Sequence, residues 1–352
     1  MKVAMITVGN PDRRTGGYLY HKQVYAILAK MGLHIHEIVV SEADDTAQQS
    51  AQFPADIATY DVIMVDMLAR IAVAPYVAAW RTQTTIVAMV HELPSLAGGD
   101  AAPPELALLA AAHLCIVVSE AGGAQLVARG VPPPRIVMAK PGCDRLGAPA
   151  LQRTIANPPV ICVAQWIPRK GIDALLRAWA HVGARQVPLH LYGETDAHTG
   201  YAATCGQLLA SLQRAGFAVT VQGSVSDDQL RVAYATARLF VLPSRFEGYG
   251  MAFAEAIWAG VPVVGYAIPS AQRIVADAGT LVPIDDEAAL AQALAPYCAD
   301  ATRAPHLHLR SALYRARASL PRWQDTAFAW LVALQHAAHL DSMPAPYAYH
   351  GD

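Results

Sequence analysis

Short apolar runs alternate with amphipathic stretches along most of this 352-residue chain. The runs are nearly continuous in apolar residues, as in Lys2–Val8 and Leu114–Ser119. Such runs are typical of strands in a parallel sheet that helices cover on both faces. Polar or glycine-rich segments follow several of them, and ligands of open parallel sheets bind beyond the carboxyl ends of the strands. The pattern predicts an α/β, doubly wound architecture.

The predicted strands form two series, separated by an aperiodic stretch at about 145 to 158 that we interpret as a linker. The strands are Lys2–Val8, Ile35–Val40, Asp61–Asp66, Thr85–His91, Leu114–Ser119 and Arg135–Ala139, then Val160–Ala164, Leu189–Tyr192, Val219–Gly223, Leu239–Leu242, Val261–Gly265 and Thr280–Pro283. We expect two similar domains, 1–150 and 151–322. A last amphipathic helix over 323–340 and a tail over 341–352 complete the prediction.

Composition narrows the function classes. The chain is 54% hydrophobic and 15% charged, with a net charge of −2, which argues against a nucleic-acid partner. Its five cysteines show no paired spacing, so we interpret them as reduced. The first residues lead straight into a strand rather than a cleavable signal, and no uncharged apolar run reaches the roughly 18 residues of a membrane span. We expect a cytoplasmic protein, and peripheral contact with the inner face of the membrane stays open.

The segment Phe240–Gly265 carries the strongest chemical signal: an apolar strand, a turn, a helix and a second apolar strand. Glu247 lies in the turn, and Glu255 lies among apolar residues of the helix. A bare buried carboxylate is costly, and no Lys or Arg is nearby in sequence on that face. A ligand rich in hydroxyls would satisfy both acids. The alternatives are a helix-capping role for Glu247 and a distant Arg as partner of Glu255.

Three further segments at strand ends fit an anionic ligand. The loop Gly9–Gly17 opens a helix, whose N-terminal N–H groups suit phosphate. Arg169 and Lys170 are adjacent cations before a helix, which suits a diphosphate. The turn Gly248-Tyr249-Gly250-Met251 also precedes a helix. The simpler interpretations are an ordinary strand–helix turn for the first loop and a solvated basic turn for the cations.

His91 ends a predicted strand and is a candidate site residue, with a core or capping histidine as the alternative. Trp323 and Trp330 are seven residues apart on the last predicted helix, and we interpret them as packing residues.

In this order the motifs resemble the retaining GT-B glycosyltransferases of family 4, over nearly the whole chain. The segment with Glu247, Gly248, Gly250 and Glu255, followed by Gly260-x-Pro262-Val263-Val264, looks like the family's E-x7-E signature. The family's lysine–glycine element, N-terminal glycine pair, strand-end histidine and pre-linker element correspond to Arg169-Lys170-Gly171, Gly16-Gly17, His91 and Pro141-Gly142-x-Asp144.

The resemblance implies two Rossmann-like domains that face a cleft, with the final helix crossing back to the N-terminal domain. Glu247 and His91 would contact the transferred sugar, and Glu255 would bind the ribose hydroxyls. Lys170, with Arg169, would neutralise the departing diphosphate, which the Gly16-Gly17 loop would also touch. Gly248, Tyr249, Gly250 and Met251 would complete the donor site.

One position departs from the resemblance: Gln165 stands where the family commonly has an Arg. Arg169, or Arg13 or Arg14 from the first loop, would have to replace that charge.

The expected activity is metal-independent, retaining transfer of a hexose-type sugar from a UDP- or GDP-linked donor, with no further cofactor and no D-x-D metal motif. The acceptor, whether carbohydrate, lipid or small molecule, stays open, as does the oligomeric state. The alternatives are a nucleotide-sugar hydrolase or epimerase of the same fold, and a non-catalytic two-domain sugar-binding protein. A dinucleotide oxidoreductase is less consistent with the chain, because no G-x-G-x-x-G follows the first strand.

Overall fold

The computed structural model describes residues 1–40, 53, 56–97, 103–147, 155–299 and 309–340. The chain forms two compact units. Unit 1 is built from Met1–Pro141 and Trp323–Asp352, and unit 2 from Gly142–Arg322. The predicted tail lies outside the described residues, as does part of the predicted linker.

Unit 1 contains a six-stranded, fully parallel sheet in the order β2-β1-β3-β4-β5-β6. Its strands are β1 (Val3–Val8), β2 (Ile35–Val40), β3 (Val62–Asp66), β4 (Thr85–Val90), β5 (Leu114–Val117) and β6 (Ile136–Met138). Its helices are α1 (Gly16–Lys30), α2 (Arg70–Val73), α3 (Val77–Trp80), α4 (Pro103–Ala111), α5 (Glu120–Ala128) and α13 (Trp323–Leu340). The central strands β3 and β4 are buried along their whole length, as their apolar runs predict.

Unit 2 repeats the arrangement with a parallel sheet in the order β12-β11-β10-β7-β8-β9. Its strands are β7 (Val160–Val163), β8 (Leu189–Tyr192), β9 (Val219–Gly223), β10 (Leu239–Leu242), β11 (Val263–Tyr266) and β12 (Gly279–Val282). Its helices are α6 (Ile172–Val182), α7 (Thr199–Arg214), α8 (Asp227–Thr236), α9 (Met251–Trp258), α10 (Pro269–Val275), α11 (Glu287–Cys298) and α12 (Arg310–Ala318). The predicted α/β, doubly wound fold is therefore confirmed in both units.

The last helix, α13, packs within unit 1 through its two tryptophans. Trp330 is fully buried, and its indole N–H donates to Tyr20 Oη at 2.8 Å. Tyr20 in turn donates to the carbonyl of Ala139 at 2.8 Å. Trp323 is also buried and meets the Tyr20 ring edge-on. The tryptophans thus tie α13 to α1 and to the residues after β6.

The boundary between the units lies at Pro141, nine residues before the predicted position at 150. The residues that follow Pro141 are bonded inside unit 2: Cys143 N donates to Pro321 O at 3.0 Å, and Arg145 pairs with Glu255. The absence of periodicity in the sequence indicated a linker in this region, but it did not indicate these long-range hydrogen bonds and ion pairs.

All five cysteines are free, and four of them are buried. Among the helices of the described ranges, none combines the length and the apolar character that crossing a bilayer requires.

Candidate functional site

In unit 2 the turn Pro168–Lys170, which follows β7, lies against the loop that follows β10. Arg169 O accepts from Arg245 N at 2.7 Å and from Ser244 Oγ at 3.1 Å. Gly171 closes the turn with φ +67°, and a Cβ built there would lie 2.1 Å from Pro243 O. Only glycine allows this approach, so the lysine–glycine pair has a physical reason at this position.

This contact brings together Glu247, Lys170 and Arg169. Lys170 Nζ lies 2.6 and 2.8 Å from the two carboxylate oxygens of Glu247. Arg169 Nη1 lies 3.4 Å from Glu247 Oε2 and donates to Phe246 O at 3.0 Å. Glu247 is 8% exposed, whereas Arg169 is 32% exposed. One carboxylate against two cations leaves an excess of one positive charge in this group, which we call the Glu247 cluster.

The protonation state of Glu247 follows from two opposed effects. Burial raises the pKa of the carboxyl group, but the charges of Lys170 and Arg169 and its hydrogen bonds with Lys170 and Ser244 lower it, and the net pKa lies below the ordinary value. Glu247 is therefore a carboxylate at neutral pH and can only accept hydrogen bonds. Sugar hydroxyls are suitable donors to it.

The turn Gly248–Gly250 leads directly from the Glu247 cluster into α9. Gly250 has φ +100° and is the N-cap of α9, and no side chain caps that end. Tyr249 is buried, and Met251 is the first helical residue. A helix begun in this way presents backbone N–H groups to an anion.

Glu255 has a protein partner that the sequence did not reveal. Arg145 donates from Nε and Nη2 to Glu255 Oε1, at 3.0 and 2.8 Å, and its side chain is 3% exposed. Arg145 Nη1 also pairs with Asp227 Oδ1 at 2.6 Å. The other oxygen, Glu255 Oε2, lies 3.4 Å from Tyr234 Oη.

The expectation that both acids need a ligand as partner is therefore wrong. Glu247 is satisfied by neighbouring cations, and Glu255 by an arginine 110 residues away in the sequence. The structure shows the pairing of Glu255 with a distant Arg, and the ribose role of Glu255 stays a prediction.

Gln165, at the departure from the family pattern, donates from Nε2 to Glu194 Oε2 at 2.7 Å. Its amide is thus engaged with an acid after β8. The cation that meets Glu247 beside Lys170 is Arg169. Arg13 and Arg14 belong to unit 1, and their role stays a prediction.

In unit 1 the predicted residues Gly16, Gly17 and His91 lie close together. Gly16 and Gly17 begin α1, and a Cβ built on Gly17 would lie 3.7 Å from His91 Cδ2. His91 follows β4, and its ring meets Tyr20 edge-on at 5.0 Å. A side chain at Gly17 would therefore make ordinary van der Waals contact with the imidazole.

His91 contacts a second histidine that sequence reasoning missed. His91 Nε2 lies 3.0 Å from His21 Nε2, and Asp66 Oδ2 lies 3.9 Å from His91 Nε2. Burial lowers the pKa of His91 to about 4 and also lowers the pKa of His21, with a further lowering of the latter by His91. Both imidazoles are neutral at physiological pH. A sequence signal existed for Asp66, which ends an apolar strand, but none distinguished His21 from other helical histidines.

Comparison with known proteins supports the predicted family. Residues 157–300 match the family model described as glycosyl transferases group 1. A mannosyltransferase of Escherichia coli, O-antigen chain mannosyltransferase B, is 36% identical over 126 residues, 34% of this chain and 31% of that protein. A GDP-mannose-dependent mannosyltransferase of Mycolicibacterium smegmatis, which acts on a phosphatidylinositol monomannoside, is 32% identical over 160 residues, 42% of this chain and 40% of that protein. The matches span less than half the length of these curated relatives.

Solved structures resemble the chain over nearly its whole length. A sucrose-phosphate synthase of Thermosynechococcus elongatus has a TM-score of 0.76 at 22% identity and covers 97% of this chain and 100% of its own. Anabaena HepE, solved with UDP and glucose, has a TM-score of 0.70 at 18% identity with the same two coverages. These likenesses show a GT-B fold of two Rossmann-like domains, and residues 157–300 match the glycosyl transferases group 1 model.

Proposed function

We propose that this GT-B chain transfers a hexose from a nucleoside-diphosphate sugar to an acceptor hydroxyl, without a metal ion at the diphosphate and with retention at the anomeric carbon. The observation that carries the proposal is the Glu247 cluster: a buried carboxylate, two cations and an uncapped helix N-terminus meet at the carboxyl end of one sheet. Each has a separate task in the reaction.

Departure of the nucleoside diphosphate places negative charge on its leaving oxygens. Lys170 and Arg169, together with the N–H groups at the start of α9, stabilise that charge as the glycosidic bond breaks. When the diphosphate contacts the cations, Glu247 is released to accept hydrogen bonds from the sugar hydroxyls.

Glu255 binds the ribose hydroxyls in this proposal, with Arg145 holding its carboxylate in place. Because Arg145 engages only Oε1 through two nitrogens, Oε2 remains the acceptor oriented by Tyr234. His91 keeps its expected role as a sugar contact, and Gly16 and Gly17 keep theirs as phosphate contacts; no residue is assigned as a covalent nucleophile. The leaving phosphate then helps to deprotonate the acceptor on the same face.

We further propose GDP-mannose as the first donor to test. The two relatives described above are mannosyltransferases, and the printed name of one of them specifies GDP-mannose. The match to glycosyl transferases group 1 spans residues 157–300, which hold the Glu247 cluster. Anabaena HepE was solved with UDP and glucose, so UDP-glucose is the matched comparison donor.

The test is release of nucleoside diphosphate from labelled GDP-mannose and UDP-glucose, with and without a panel of carbohydrate and lipid acceptors. We expect acceptor-dependent release, with the anomeric configuration retained in the product. Glu247→Gln should lower the rate on the order of 100-fold, because it removes a charged contact at the reacting sugar. Glu120→Gln, which alters a surface carboxylate paired with Lys140, is the matched control and should keep the wild-type rate.

Three outcomes contradict the proposal. Equal release with and without acceptor indicates a hydrolase. Binding of the donor without any release indicates a sugar-binding protein. An unchanged rate in Glu247→Gln removes that residue from the sugar site.

A further inference from the structure

Three side chains from separate elements of unit 1 converge below the surface. His21 comes from α1, Asp66 ends β3, and His91 follows β4. Strands β3 and β4 are parallel neighbours in which Asp66 pairs with Met89, so their carboxyl ends are adjacent. The convergence is therefore built into the sheet rather than into a mobile surface loop.

The three ligating atoms form a compact triangle. His21 Nε2 and His91 Nε2 are 3.0 Å apart, and Asp66 Oδ2 lies 3.6 Å from the first and 3.9 Å from the second. A point equidistant from these three atoms lies about 2 Å from each, which matches the usual Zn–N and Zn–O bond lengths. A proton shared between the two imidazole nitrogens would give each of them a partner, but it would not give one to the Asp66 carboxylate.

Burial and chemistry also favour a cation at that point. The His21 and Asp66 side chains are 2% and 3% exposed, whereas His91 is 20% exposed. Asp66 Oδ1 accepts from Leu68 N at 2.9 Å, which fixes the carboxylate and turns Oδ2 toward the imidazoles. Asp66 Oδ2 lies beyond hydrogen-bond length from both rings, so a hydrogen bond between the two imidazoles leaves the position of the carboxylate unexplained.

We propose that His21, Asp66 and His91 bind one divalent transition-metal ion of the zinc type. Two imidazoles and one carboxylate suit Zn²⁺ and Co²⁺, whereas Mg²⁺ and Ca²⁺ prefer oxygen ligands. A fourth position is reached from the side of His91, the most exposed of the three. The sequence alone predicts no metal site, because the three ligands are far apart in the chain and follow no spacing motif.

The inference does not depend on the proposed sugar transfer. A bound ion occupies Nε2 of His91, so it competes with the sugar contact proposed for that ring. Occupancy of the metal site is therefore expected to inhibit transfer, and metal binding is measured without any donor or acceptor.

The test uses the full chain after removal of metals with a chelator. Titration with Co²⁺ is followed by its visible absorption, and Zn²⁺ affinity is measured by competition with a chromophoric chelator. We expect one Zn²⁺ per chain and the intense bands of tetrahedral Co²⁺. His21→Ala and Asp66→Asn should each weaken Zn²⁺ at least tenfold. The exposed His34→Ala in the same unit is the matched control and should bind as the wild type does.

The wild-type titration alone can overturn the proposal. Binding well below one equivalent, or Co²⁺ spectra of an octahedral hydrated ion, would show that the two histidines merely share a hydrogen bond. Tight binding that survives both His21→Ala and Asp66→Asn, with far-UV circular dichroism confirming that both variants are folded, would place the metal elsewhere.

Discussion

At the scale of single residues, charge compensation organises unit 2. The Glu247 and Glu255 side chains are 8% and 6% exposed, and each is matched by a cation from a distant part of the chain: Lys170 for the first and Arg145 for the second. Removing one partner of such a pair leaves an unpaired buried charge, which costs more than the pair contributes. Loss of Lys170 or Arg145 alone is therefore expected to destabilise the unit.

The lowered pKa of Glu247 predicts an acid-sensitive contribution to stability. Its folded-state pKa lies below the unfolded value, so the contribution is present above the unfolded pKa and is lost as the pH falls through the folded pKa. At pH 7, Glu247→Gln should lower the free energy of unfolding by about 2 kcal/mol. Below about pH 4 the difference in unfolding free energy between variant and wild type should become smaller.

Urea unfolding of both proteins at pH 7 and at about pH 3, followed by tryptophan fluorescence, measures this difference in unfolding free energy. Asp228→Asn, at an exposed pair with Arg231, is the control and should show little difference at either pH. A difference of equal size at both pH values would contradict the assignment of the pKa shift to Glu247.

At the scale of secondary structure, tight backbone contacts position the site. Gly171 and Gly183 flank α6 and have similar positive φ values, 67° and 71°. A Cβ on Gly171 would lie 2.1 Å from Pro243 O, whereas one on Gly183 would meet nothing within 4 Å. A comparison of these two glycines therefore separates the free-energy cost of a left-handed backbone from the cost of a steric clash.

Alanine substitution at these two glycines should therefore differ. Gly183→Ala should cost about 1 kcal/mol for the left-handed backbone alone. Gly171→Ala should cost at least about 2 kcal/mol more, because the turn must move away from the β10 loop. Urea unfolding of the two variants measures the difference, and equal costs would show that the turn relaxes freely.

At the scale of the whole molecule, the sequence predicted more of the fold than of the site. The apolar runs located the strands within a few residues, because a parallel sheet buried on both faces requires nearly continuous apolar segments. The turns at Gly171 and before α9 could also be predicted from the sequence, because their local backbone geometry requires glycine.

The contacts between distant segments could not be predicted in the same way. Arg145 lies in a stretch that showed no periodicity, and its pairing with Glu255 spans 110 residues. In the sequence, His21 is one polar residue on a helix. It becomes recognisable as a candidate metal ligand only when β3 and β4 place Asp66 and His91 beside it. Such constellations depend on tertiary packing, which a single sequence does not display.

The central claim is that the Glu247 cluster holds the donor diphosphate, and calorimetric titration with GDP, GDP-mannose, UDP and UDP-glucose tests it most directly. We predict that the wild type binds at least one nucleoside diphosphate and its sugar, and that Lys170→Met weakens this binding at least tenfold through loss of a charge-assisted contact. Arg231→Met, at an exposed ion pair with Asp228, should bind as the wild type does. Binding to Lys170→Met that is as tight as binding to the wild type would contradict the account.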